Sequence, residues 1–156
     1  MSTIIDLGTG YYFDDLHVGQ RFRSAGRSIV EADLASFIGV TGMQEVLFNN
    51  LEYIENESTH KKRIVPGLMV LGIAEGLILA PLLQKTGIAF LGMTMDMKGP
   101  VAVGDTIHVE VEVTELRAAS KGARGLVRTR NSIMNQHGDL VVEYTPLRMQ
   151  KMRPKG

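Results

Sequence analysis

VPGLMVLGIAEGLILAPLL, Val65–Leu83, is the most apolar stretch of the chain, and Glu75 is its one charged residue. Eighteen unbroken apolar residues would read as a membrane span, but Glu75, Pro81 and the glycines interrupt this run. Apolar side chains fall around nearly the whole helical circumference, the pattern of a helix buried on all sides. The spacing predicts a helix over Gly67–Gln84, with Pro66 at its start and Gly87 just past its end. At about 1.5 Å per residue such a helix is ~27 Å long, comparable to the width of a small sheet. The fold must therefore wrap something around it.

The wrapping material follows directly. In TIHVEVEVTELR, Thr106–Arg117, the branched residues Ile107, Val109, Val111 and Val113 alternate with His108, Glu110, Glu112 and Thr114. Period two over this length gives a strand with one dry and one wet face. Ala89 to Met97 alternates as well, setting Ala89, Leu91, Met93, Met95 and Met97 on one side. A third strand is expected over Leu126–Asn135 and a fourth over Leu140–Met149, interrupted at Pro146. Gly104-Asp105 and His137-Gly138 suit tight connections, and strands so closely spaced favour an antiparallel meander.

Upstream of the helix the pattern is weaker. Arg21–Arg27 reads as a strand. Ser28 and Glu31 have capping-box spacing, and Leu34, Phe37 and Ile38 recur at helical intervals until Gly42. From Met43 to Arg63 no period is visible, so a loop or short irregular helices are expected. A polar segment of about twenty residues with no clear element is often functional.

Composition narrows the classes. With 156 residues, 44% of them apolar and 22% charged, the chain reads as one globular domain over residues 1–156. Lys+Arg and Asp+Glu both number 17, which argues against nucleic-acid and membrane-surface partners, since both need a basic excess. There are no cysteines, so disulfides, thiolate metal sites and a Cys nucleophile are excluded. No metal site is expected. Met1–Gly10 is polar and Gly-rich, which predicts no secretory leader and a cytoplasmic location.

Four segments, in order along nearly the whole chain, resemble MaoC-like hotdog domains, the family of (R)-specific enoyl-CoA hydratases. They are Tyr12–Gln20, Glu31–Gly42, Arg63–Met69 and Gly99–Thr106. The resemblance implies an α+β hotdog fold, an antiparallel sheet wrapped around the long central helix. It also implies an acyl-CoA ligand, no cofactor beyond the coenzyme A of the substrate, and a homodimer or higher homo-oligomer. By family the activity is that of a hydro-lyase, an enoyl-CoA hydratase or dehydratase of fatty acid metabolism.

The chain departs from the family at its chemistry. Members carry Gly-Asp-x-Asn-Pro-Leu-His, and anchored on Phe37 and Thr41-Gly42 the Asp position is Met43 and the His position Phe48. A second family His is replaced by Pro66. Thioether and phenyl groups hold no exchangeable proton, and acid–base groups typically contribute about 10²–10⁴-fold. A frame shifted by two brings Glu45 and Asn50 to the same separation, with Glu45 as a base and Asn50 as an orienting group, and His60 could supply an acid. The ordinary alternative makes Glu45, Asn49 and Asn50 exposed loop polars and His60 part of a solvated basic run. Glu75 is expected at a dimer seam or sheet rim, where water solvates it. His17, His108 and His137 read as structural.

The pocket survives better. Family members polarise the thioester carbonyl with a backbone N–H at the start of the central helix, which here falls at Gly67, with Met43, Phe48, Pro66 and Leu68 as further substrate-binding candidates. Helix N-termini present unpaired donors with a positive partial charge, suited to an oxyanion. Two classes remain open: an acyl-CoA enzyme (a hydratase/dehydratase, or a thioesterase using Glu45), and a non-catalytic acyl-CoA-binding protein or partner subunit.

Overall fold

The computed structural model describes residues 1–156. A short 3-10 turn, Phe13–Asp15, precedes strands β1 (Arg21–Arg23) and β2 (Arg27–Ser28). Helix α1 (Glu31–Thr41) follows, then two short helices, α2 (Val46–Asn49) and α3 (Leu51–Asn56). The long helix α4 (Gly67–Leu83) leads into β3 (Gly87–Met97), β4 (Thr106–Ala118), β5 (Arg124–Met134) and β6 (Leu140–Lys151). All six strands are antiparallel, in the order β1-β4-β5-β6-β3, with β2 pairing on β4. No helix is long and apolar enough to cross a membrane.

The core is the seam between α4 and the sheet. Val70, Ala74 and Ile78 of α4 are buried with Val109 and Val111 of β4, Ile133 of β5, and Val142 and Tyr144 of β6. Burying each Val or Ile side chain contributes about 1.5–3 kcal/mol, so this seam dominates the stability. The alternation expected in β4 is observed: Ile107, Val109, Val111 and Val113 are all buried.

Five details differ from the sequence reading. The strand expected over Arg21–Arg27 is broken at residues 24–26 into β1 and β2, each pairing separately with β4. Helix α4 is not covered all round, because Leu68, Gly72, Gly76 and Leu79 lie exposed along one strip. Strand β6 runs through Pro146 without a break. The proline lacks an N–H, so pairing with β5 lapses between Arg128↔Leu147 and Asn131↔Tyr144 and resumes in the same register. In β3 a bulge between Phe90 and Gly92 changes the phase. Ala89 thereby shares a face with Met149, while Met93, Met95 and Met97 face with Pro146, Tyr144 and Val142. Finally, the residue capping α1 is Val30 rather than Ser28: the Asp33 carboxylate accepts the Val30 N–H at 2.9 Å, and the Ser28 hydroxyl meets that of Thr106 at 2.7 Å. Gly42 ends α1 at φ +69°, a left-handed position where a Cβ would be strained.

Candidate functional site

Arg63 assembles the site. Its Nε donates to both Glu31 carboxylate oxygens at 2.9 Å, and its Nη1 donates to the Phe48 carbonyl. One guanidinium thus ties the start of α1, the end of α2 and the segment entering α4. The Arg63 hydrogen bond holds the Glu31 carboxyl below its usual range. The entering segment is fixed on its other side by Val65 N–H to Val101 O (2.9 Å) and Val103 N–H to Arg63 O (2.9 Å).

These constraints shape a cleft of about 380 Å³ at the N-terminus of α4. Leu47, Phe48, His60 and Ile64–Gly67 form one wall, and Met97–Val101 the other. The Pro66 carbonyl already accepts Met69 N–H (3.0 Å) and Val70 N–H (3.2 Å), and the N–H groups of Gly67 and Leu68 have no acceptor in the chain. Unpaired first-turn donors with the helix dipole behind them suit a carbonyl oxygen that gains negative charge. A Cβ on Gly67 would meet the Met97 Sδ at 2.9 Å, so only a glycine lets that wall close so tightly. A larger groove, about 570 Å³, runs between α1 and α4 past Phe37, Met69, Gly72, Ile73 and Gly76.

Phe48, His60, Pro66 and Gly67 come together in the cleft. Met43 is half-buried and lies outside its lining, and Leu68 is exposed in the first turn of α4. The Glu45 carboxylate is exposed and unpartnered at the start of α2, while its carbonyl accepts Phe48 N–H at 2.8 Å. The Asn50 Oδ1 accepts Tyr53 N–H at 2.9 Å and so caps α3. His60 and Lys98 are the ionisable side chains lining the cleft, and no carboxylate does. No cluster of His, Asp and Glu could hold a metal ion.

Two residues went unread in the sequence. Arg63 ends a run of basic residues that looks solvated, and nothing local marks its partner Glu31. Arg148 is the second. Its Nη2 alone donates to both Glu75 carboxylate oxygens, at 2.6 and 2.7 Å, and the Tyr144 hydroxyl donates to Oε1 at 2.7 Å. Glu75 is therefore satisfied inside the fold, not by solvent at a rim. Desolvation by burial, together with the Glu75 charge, pushes the Tyr144 phenol well above its usual pKa.

Comparison with known proteins gives a consistent picture. A 3-hydroxybutyryl-CoA dehydratase of Methylorubrum extorquens is 29% identical over 113 residues, covering 72% of this chain and 70% of that protein. A MaoC-like dehydratase of Rhodospirillum rubrum superposes with a TM-score of 0.83 at 26% identity, over 94% of this chain and all of the other. A Mycobacterium tuberculosis protein with a double hotdog fold aligns at a TM-score of 0.86 and 24% identity, covering 97% of this chain and 47% of that one. The fold is the hotdog. The sequence profile of the MaoC-like domain matches residues 15–136, and the chain belongs to that family, the MaoC-like enoyl-CoA hydratases and dehydratases.

Proposed function

We propose that this protein binds acyl-CoA thioesters in the cleft at the start of α4 and hydrates enoyl thioesters far more slowly than relatives with the Asp/His pair. The carrying observation is the free N–H of Gly67, a residue that lines a cleft with no carboxylate in its walls. Hydration adds hydroxide at C3 and a proton at C2. Met43 and Phe48, at the positions of the family pair, exchange no proton, whereas helix-terminal donors hold a thioester carbonyl without one. Residual turnover falls to Glu45 with Asn50 or His60 assisting, and of these His60 is the one that lines the cleft.

A homodimer completes the reading. Strand β3 pairs only with β6 and leaves its other edge free; Ile88, Phe90, Leu91 and Met97 of this strand are about half exposed, and Ile88 and Phe90 lie beside the exposed Leu79 of α4. A free edge of that length and apolarity needs covering. A second copy would stand where the second half of the double hotdog protein stands.

The test is titration calorimetry with crotonyl-CoA alongside a hydration assay on the same preparation. Binding with turnover depressed by at least the 10²-fold of a lost acid–base group supports the reading. Turnover at family level overturns the slow-hydration part, and residual turnover unchanged in both Glu45→Gln and His60→Gln removes those two side chains from the chemistry. Failure to bind any acyl-CoA removes the thioester reading altogether.

A further inference from the structure

The cations of this neutral chain are not evenly neutralised. Arg21, Arg27, Arg63, Lys85, Arg128, Arg130, Arg148 and Arg153 all have carboxylate partners within ion-pair distance. At the far end of the sheet Arg117, Lys121, Arg124 and Lys151 are exposed and make no ion pair. Register places three of them together. Arg124 stands directly opposite Lys151, and Arg117 opposite Leu126, two residues along from Arg124. Their neighbours Gly125, Val127 and Gln150 are buried, so Arg117, Arg124 and Lys151 share the outer face across β4, β5 and β6. Like charges directly opposite in a ladder are destabilising on their own. Beside them on the same face lies an apolar row, Leu126 opposite Met149 and Met149 opposite Ala89.

We infer that this outer face docks an acidic, amphipathic helix of a partner protein. Cations beside an apolar row match a helix that carries glutamates and leucines on one side, whereas a phosphate-bearing small ligand would have no use for Leu126 and Met149. Distance argues the same way. Met97, in the cleft wall, pairs with Val142, and Lys151 lies nine residues further along β6, about 30 Å at roughly 3.3 Å per residue. A thioester carbonyl held at Gly67, which packs against Met97, therefore lies far from this face. The inference does not depend on the thioester reading.

The experiment is fluorescence anisotropy with a labelled synthetic helix bearing glutamates and leucines on one face, titrated with the full chain and with Arg124→Glu, Lys151→Glu and Leu126→Ser. The unaltered protein should bind, more weakly as salt rises. Each charge reversal should weaken binding at least tenfold, about 1.4 kcal/mol. Leu126→Ser should weaken it without changing the salt dependence. Arg124→Glu converts a like-charged cross-strand pair into an opposite one, so a melting temperature that does not fall separates lost docking from lost folding. The inference is overturned if the unaltered protein does not bind, if reversal leaves the anisotropy unchanged, or if free coenzyme A or inorganic phosphate displaces the helix.

Discussion

Glu75 sits on the most apolar helix of the chain, yet its side chain is 17% exposed and that of its partner Arg148 only 9%. A buried pair of this kind is dangerous to break and inexpensive to replace as a unit. Arg148→Met strands a buried carboxylate and should destabilise by about 3–5 kcal/mol, whereas Glu75→Leu with Arg148→Met should recover most of that loss; urea denaturation of the three proteins measures both. Titration adds a second expectation. Glu31, held by Arg63, and Asp33, held by the Val30 N–H, have folded pKa values below their ordinary 4.5 and 3.8. The unfolded chain therefore takes up those protons first, so stability present above about pH 4.5 is lost as the pH falls through and below that value. Tyr144 has the opposite sign: its pKa is raised from 10.0, so its contribution is intact below pH 10 and declines as the pH climbs beyond it. Thermal melts across both limbs check this, and a stability unchanged down to pH 3 would contradict it. None of these contacts was legible in the sequence. Glu75 and Arg148 are 73 positions apart, and in the sequence a charge on an apolar helix shows its cost but not its partner.

The elements were more readable than their edges. Helix α4 and strand β4 carry periods long enough to decide themselves, and both stand where periodicity puts them. The bulge in β3 and the passage of β6 through Pro146 were not readable, because a proline or a phase change is tolerated when the strands on either side hold the register. The cleft was half legible: Gly67 and Pro66 announce a helix start, while the wall made by Met97–Val101 depends on a fold-level approach. Gly67 supports a prediction at this scale. In Gly67→Ala the new methyl would displace the far end of the flexible Met97 side chain, so the fold should tolerate it. The displaced thioether narrows the cleft, and crotonyl-CoA should bind roughly tenfold more weakly, ~1.4 kcal/mol. Calorimetry beside a melting curve separates the two effects, and undiminished affinity would move the carbonyl away from α4.

Taken whole, the chain exposes a free sheet edge at β3, and Leu79 of the bare strip of α4 lies beside Ile88 and Phe90 of that strand, so the expected state in solution is a homodimer. Small-angle scattering at micromolar concentration should return the mass of two chains, and Leu91→Lys, at an exposed position of β3 with no partner in the β6 register, should shift it toward one. A monodisperse monomer of the unaltered protein would refute the assignment. The overall architecture was legible because it follows from one apolar helix and four amphipathic strands, whereas the outward face of that helix gives no sequence signal separating solvent from a second copy. The order of those elements has a consequence during synthesis. Helix α4 ends at Leu83, and the strands that cover it are complete only at Lys151. At roughly 5–20 residues per second the ribosome takes about 3 to 14 seconds to supply them. Throughout that interval the nascent chain carries an uncovered apolar rod, so aggregation in the cell should follow the elongation rate rather than the stability of the finished protein.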